Sequence, residues 1–298
     1  MFTFAMRRLA IAIPTLLFIS LIVFLLLNLA PNDPMAQVPL TVPPEVKQKM
    51  REALGLGQPL HVQYFKWLVQ FFWIEPQVLI DHLFNTQFSK DDLRVISWQT
   101  RSPVMDVVVQ RLPQTLWVVG MAYLVGILIA LPIGIYSAYR QYSVFDQVGT
   151  FVAMIGYSVP PFFSGVAVIV LFAVQLGWLP STYNTLHEVV SWDSFIIQLK
   201  QMVLPVMVLA LQTTAQLSRF MRASVLDNLN QDYVRTARAK GLSEWTVVMV
   251  HVLRNSMIPV VTVIALNVPS IFGGAIITEQ VFKVNGIGQQ LILAIYAN

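Results

Sequence analysis

Few residues in this 298-residue chain are of types that do chemistry, and their spacing narrows the choice further. There is no cysteine, which excludes disulfides, thiolate metal sites and thiol nucleophiles. The four histidines, His61, His82, His187 and His251, are scattered, and none meets another at the i, i+4 spacing of a helical metal pair. No expected membrane span pairs a serine with a histidine or one aspartate with another, so intramembrane hydrolysis is unsupported. A net charge of +4 invites a nucleic-acid reading, but the basic residues form no stripe interleaved with aromatics. No nucleic acid, metal or bound cofactor is expected, and the chain is not expected to be an enzyme. What remains is binding chemistry in one basic segment, QDYVRTARAKGLSEWTVVMVHVLRNSMIP, beginning at Gln231. Asp232 to Lys240 holds good helix formers, and Gly241 stands where a C-cap belongs. A second helix is expected from Ser243 through Thr246 to Leu253, ended by Pro259. A basic helix can rest on anionic lipid. A helix–Gly–helix hairpin suits docking into a cleft of another protein better.

Something must hold such a hairpin, and the composition says what. Apolar residues make up 56% of the chain and charged residues only 11%, against about 25% charged in a soluble domain. Mean hydropathy is +0.65. Too few charges remain to cover a water-facing surface, so the expected fold is all-α, a polytopic membrane helix bundle. A spanning helix needs about 20 apolar residues. Stretches free of Asp, Glu, Lys and Arg are 9–30, 112–139, 147–187, 201–218 and 255–278, with a shorter one at 284–298. The run 147–187 has room for one span or two, and Pro160-Pro161 near its middle would break or kink a helix. The positive-inside rule selects one span. Arg7-Arg8, Arg140 and the group Arg219, Arg222, Arg235, Arg238, Lys240 and Arg254 then share the cytoplasmic side. Residues 1–30 hold the cytoplasmic N-terminus and the first span, and the later spans are expected at about 112–138, 148–177, 201–218 and 255–278. Residues 219–254 form a cytoplasmic loop and 31–111 an extracytoplasmic one.

In that outer loop, Thr41 and Pro43-Pro44-Glu45 open a helix over Val46 to Leu54 that Gly55 and Gly57 stop. Pro59 to Phe72 reads as a second amphipathic helix, rich in Tyr64, Phe65, Trp67, Phe71 and Phe72. Its aromatics suit a belt at the membrane surface, with membrane lipid as partner, or a platform for a soluble partner. The apolar stretch of residues 1–30 is too long for a signal peptide, and Ala30-Pro31 is a poor cleavage context. The spans hold no deep ionisable residue, apart from His187 near an outer edge, so an ion-coupled carrier is poorly supported. Glu279, at the outer end of the last span, is expected to reach the interface. Glycines and prolines punctuate the spans, among them Pro160, Pro161, Gly273 and Gly274, which are expected to serve as hinge or packing positions. A bundle with no motor of its own and a docking hairpin reads as a passive pore half driven by a partner. A membrane scaffold without transport is the alternative.

These residues resemble a type I ABC importer permease, of the B-type subunit in dipeptide, oligopeptide and nickel systems. The resemblance covers essentially the whole chain and rests first on Asp232-Tyr233-Val234-Arg235-Thr236-Ala237-Arg238-Ala239-Lys240-Gly241 followed by His251-Val252-Leu253-Arg254-Asn255. That stretch is similar to the segment such permeases insert into their ATPase, with Arg235-Thr236-Ala237 in place of the general Glu-Ala-Ala triplet and Gly241 in register. Further matches are Met6-Arg7-Arg8, Ala30-Pro31-Asn32-Asp33-Pro34, Leu54-Gly55-Leu56, Gln63-Tyr64, Arg111-Leu112-Pro113-Gln114-Thr115-Leu116, Ser158-Val159-Pro160-Pro161-Phe162 and Leu176-Gly177-Trp178-Leu179-Pro180. Trp73 to Trp98 departs from the family's short Gly-rich connection.

The resemblance implies a permease domain over 102–298 and an import role, with peptides first and nickel, glutathione or another small solute as alternatives. It implies a second permease subunit, two cytoplasmic ABC ATPases that bind ATP and Mg, an extracytoplasmic substrate-binding protein, and residence in a bacterial cytoplasmic (inner) membrane. Asp232, Tyr233, Arg235, Ala237, Arg238, Gly241, His251 and Leu253 are the implied ATPase-coupling residues. Such permeases have six spans with both ends inside, whereas this chain counts five. Val281-Phe282 through Gly286-Ile287-Gly288 to Ala297 resembles the outer segment before the sixth. A five-span form is expected to leave its C-terminus outside, lack one wall of the pore and transport poorly unless another chain fills the gap. Substrate-binding residues do not follow from the sequence.

Overall fold

The protein is described by a computed structural model over residues 2–29, 43–45, 47–48, 51, 57–84, 94–97, 100 and 102–296. The expected helix over Val46 to Leu54 and the matches at 30–34 and 54–56 lie largely outside these residues. Among the described residues the structure is helical, and the one extended pairing is a bridge between Ile96 and Pro103. The chain divides into two compact units, residues 1–107 with 296–298, and residues 108–295.

In the first unit, α1 (Phe2–Leu29) is apolar all round beyond Arg7-Arg8, and most of its side chains are exposed, which suits a helix whose surroundings are lipid. Its Phe24 is buried against Tyr64 and Trp67, with ring centroids at 5.4 and 6.3 Å. Those rings stand on α2 (Leu60–Val69), which continues through a π-helical turn, Gln70–Ile74, into α3 (Glu75–Phe84). The expected helix ending at Phe72 therefore runs on for three more turns. Arg94 joins Glu75 and Asp106 at 2.7 Å each. Burial works to lower the pKa of this guanidinium, but its hydrogen bonds and charge contacts with both carboxylates outweigh that and hold it above the ordinary arginine value.

The second unit is built on long rods. Helix α4 (Val104–Thr115) passes through a π-helical turn, Leu116–Gly120, into α5 (Met121–Tyr139). Helix α6 (Val144–Ser158) starts at Ser143, whose hydroxyl caps the backbone N–H of Asp146. Helix α7 (Pro161–Val168) extends through Ile169–Gln175. Helix α8 (Trp192–Leu229) begins in a reciprocal cap between Ser191 and Ser194 and runs for 38 residues. After α9 (Asp232–Ala239), the helical turn α10 (Glu244–Thr246) leads through Val247–Val252 into α11 (Leu253–Phe272) without a break. Two short helices close the unit, α12 (Ile276–Phe282) and α13 (Ile287–Tyr296).

Among the described residues, four helices are each long and apolar enough to cross a membrane: Thr3–Leu29, Val104–Tyr139, Trp192–Leu229 and Glu244–Phe272. This is a multi-pass membrane protein. The stretch expected as one span over 148–177 consists of α6 and α7, bent by 105° at a short break, which together are long and apolar enough to make a fifth. Pro160 has no N–H to give, Pro161 occupies the first turn of α7, and the chain re-enters helix at a new angle. The loop expected over 219–254 is mostly helix. Helix α8 runs to Leu229 and the last rod starts at Glu244, so Pro259 does not end a helix but lies within one.

Helix α5 lies along α8 because every fourth residue on one face is small: Ala122, Gly126, Ala130, Gly134 and Ala138 are all buried. A Cβ on Gly126 would come within 2.6 Å of Thr213, and one on Gly134 within 2.6 Å of Met221. Between apolar helices in lipid there is little hydrophobic drive, and such close approach supplies the dispersion contact instead.

Candidate functional site

The hairpin is rooted in the core of the second unit. Val234 and Ala237 on α9 are buried, packed with Met221 and Val225 of α8 and Val247 and Val252 of the last rod. These side chains tie α9 to both rods, so the hairpin cannot swing without moving them. At the root, Ser224 Oγ donates to Ser256 O at 2.8 Å and Ser256 Oγ to Ser224 O at 3.2 Å, pinning α8 to α11. Tyr233, half-buried, donates its hydroxyl to Asn228 Oδ1 at 2.7 Å.

The tip is made differently. Gly241 has φ +79°, the left-handed conformation that ends α9. Ser243 caps the next helix by accepting from Thr246 N. Across the turn, Arg238 holds Glu244 through both nitrogens at 2.8 and 3.2 Å, which fixes the angle between the arms. Of the eight residues expected to couple, Asp232, Arg235, Arg238 and Gly241 are exposed, Tyr233, His251 and Leu253 are half-buried, and Ala237 is buried. Ala237 and Leu253 pack inward at the root. Trp245, 74% exposed, and Leu242 crown the tip. Sequence reasoning missed both; their signal was a large apolar residue on each side of the Ser243 cap, where a solvated turn calls for polar ones.

Near the hairpin a second tie crosses the unit. Arg222 of α8 donates from Nε and Nη2 to the two oxygens of Asp146 on α6, at 2.6 and 2.7 Å. Toward the other end of α8 the expectation for Glu279 is corrected. It is 1% exposed and reaches no interface. Its carboxylate accepts from Thr115 Oγ1 at 3.1 Å, Ala275 N at 3.2 Å and Gln289 N at 2.9 Å. The chain folds back over it because Gly274 (φ +75°), Gly286 and Gly288 leave no Cβ in the way. Gly273 thus terminates α11, and Gly274 helps cradle a carboxylate. Pro160 and Pro161 sit at the 105° bend.

Between these ties lies a cavity of about 510 Å³ bounded by α5, α8 and α11, with a turn of α6. Its polar lining includes Tyr123, Tyr157, Gln212, Thr213, Gln216 and Asn267. Tyr123 donates to Ile264 O at 2.8 Å and Thr213 to Leu209 O at 3.2 Å. No lining residue is charged, and among the described residues no group of acids and histidines could hold a metal.

Comparison with known proteins follows the same lines. A family model for the inner membrane component of binding-protein-dependent transport systems matches residues 130–298. One for the N-terminal part of such membrane components matches residues 1–119. The chain is 35% identical over 300 residues to the oligopeptide transport system permease protein AppB of Bacillus subtilis, covering 98% of this chain and 87% of that one. It is 34% identical over 293 residues to a putative peptide transport system permease of Brucella suis, covering 98% and 86%. The glutathione transport system permease protein GsiC of Salmonella choleraesuis is 36% identical over 296 residues, with the same coverage.

Proposed function

The chain belongs to the family of inner membrane components of binding-protein-dependent transport systems, and on that premise we propose that it forms half of the translocation pathway of an ATP-driven peptide importer. It is a permease subunit, not an enzyme, and works in a complex with partner subunits. The partners of this reading are a second permease, two cytoplasmic ATPases carrying ATP and Mg, and an extracytoplasmic binding protein that delivers the substrate. The chain sits in the cytoplasmic membrane with its N-terminus and the 232–253 hairpin inside, in keeping with the basic residues Arg7, Arg8, Arg235, Arg238 and Lys240.

One observation carries the coupling role: the hairpin has an exposed tip at Gly241, Leu242 and Trp245 and a root buried between two spanning rods. A push on the tip is therefore delivered to α8 and α11 together, the rigid-body transmission that alternating access needs. Closure of the ATPase pair on ATP would open the outward face, and hydrolysis would restore the inward one. Peptide is the substrate class named for two of the relatives. Glutathione, named for a third, is the second reading and is itself a tripeptide. The test is uptake of radiolabelled trialanine and glutathione by cells expressing the whole system, with and without Gly241→Glu in this chain. The substitution strains a left-handed turn and sets a charge beside Trp245, so uptake should fall to background while the chain still reaches the membrane. Normal uptake by the variant would remove the hairpin from the mechanism.

A further inference from the structure

The amide groups of Gln212 and Gln216 stand one turn apart on α8, both half-buried and both lining the cavity bounded by α5, α8 and α11. Three other polar groups there are spent within the bundle. Tyr123 donates to Ile264 O, Thr213 to Leu209 O, and Asn267 Nδ2 to Val263 O at 2.9 Å. Gln212 and Gln216 hydrogen-bond to no described residue. Neither amide is among the side-chain groups sealed from water without a partner, so both are open to the cavity and free to meet a ligand, in a stretch of α8 otherwise rich in Leu, Val and Ala. A second cleft against the same helix, about 500 Å³, shows the ordinary alternative, with Ile133, Phe145, Val148, Val152 and Leu211 in its wall. The polar cavity is thus a local departure, and its about 510 Å³ falls within the roughly 300–1,000 Å³ of small-ligand sites.

We infer that Gln212 and Gln216 bind the main-chain amides of a passing peptide, and that this half of the pathway is indifferent to the charge of peptide side chains. The inference rests on the importer reading and adds its chemistry. A primary amide offers two donors and an acceptor, the complement of a peptide unit's C=O and N–H. The lining holds no Asp, Glu, Lys, Arg or His; the one guanidinium bordering it, that of Arg219, stacks on the Tyr157 ring at 4.7 Å and donates to Ala215 O, so no charged side chain stands in the wall itself to select a lysine or glutamate of the cargo. Two glutamines a turn apart can engage successive main-chain groups without reading what lies between them.

The test uses the whole transporter in membrane vesicles and three probe peptides: trialanine, Ala-Lys-Ala and Ala-Glu-Ala. Gln216→Glu should leave trialanine uptake measurable. It should shift the Ala-Lys-Ala to Ala-Glu-Ala uptake ratio by about tenfold or more toward the cationic peptide, relative to the unsubstituted complex. Referring the shift to that complex cancels any preference of the binding protein, and Gln216→Asn should leave the ratio unchanged. An unchanged ratio in Gln216→Glu overturns the inference and leaves the importer reading standing. Absence of uptake of all three peptides by the unsubstituted complex overturns both. Should Gln216→Glu fail to assemble, the lack of native cysteine allows Gln212→Cys and Gln216→Cys to be labelled singly. Cationic and anionic methanethiosulfonates should then react at similar rates, slowed by excess trialanine. Sites closed to both reagents, or unaffected by trialanine, would assign the amides to a subunit contact and overturn the inference.

Discussion

Two carboxylates are buried in the second unit, toward opposite ends of α8, and they are held in opposite ways. Asp146 answers a full charge, the two-pronged guanidinium of Arg222, beside one backbone N–H from Tyr142 at 2.9 Å. Glu279 answers no charge among the described residues; it is met by a hydroxyl and two backbone N–H groups inside a glycine cradle. Asp146 and Arg222 join α6 to α8 through side chains alone, a tie that can be released and remade as helices shift. The Glu279 junction is closed by backbone from two segments, at Ala275 and Gln289, and by the Thr115 hydroxyl. The two ends of α8 are thus secured by different chemistry, a side-chain ion pair near the hairpin and a hydrogen-bonded glycine cradle at Glu279.

Arg222→Ala should have the largest effect. It leaves Asp146, whose side chain is 3% exposed, charged and unpaired, at a cost of about 3 kcal/mol, read as a lower thermal midpoint of the detergent-purified chain. Adding Asp146→Ala to that chain should restore most of the loss. Gly288→Ala comes next, because its Cβ would lie 2.8 Å from the Ile276 backbone. The closed junction has no room to yield, so a loss of about 2 kcal/mol is expected. Glu279→Gln should be mildest, about 1 kcal/mol, since the amide keeps the shape and an acceptor and forfeits one backbone donor. Its effect should be well below that of Glu279→Ala, whereas Asp146→Asn should cost nearly as much as Asp146→Ala. Equal losses for Glu279→Gln and Arg222→Ala would erase the contrast.

The spans were legible because charge-free runs measure how much chain lies in lipid. Their ends were not, because charge marks where the membrane stops and not where the helix stops. Helix α8 continues past Arg219 and Arg222 to Leu229. The hairpin was legible from Gly241 and the Ser243 cap, both local signals. Glu279 was misread because its burial depends on the chain doubling back from Gly286 to Gln289 onto Thr115, contacts up to 172 residues apart in sequence. The Pro160-Pro161 break was visible but its angle was not, since prolines fix where a helix stops and packing decides where it goes next. The small-residue ladder from Ala122 to Ala138 and the spacing of Gln212 and Gln216 were present in the sequence. They gain meaning only once it is known which face of α8 lies against α5 and which faces the cavity.

The central claim is that this chain is driven through its hairpin by a cytoplasmic ATPase. The most direct measurement is mild purification of the tagged chain from its own membranes, with and without Gly241→Glu, and quantification by mass spectrometry of what accompanies it. The account predicts a second permease and a P-loop ATPase in comparable amounts with the unsubstituted chain. The variant should retain the permease and lose the ATPase. An unsubstituted chain recovered alone, or a variant that keeps its full share of ATPase, would contradict it.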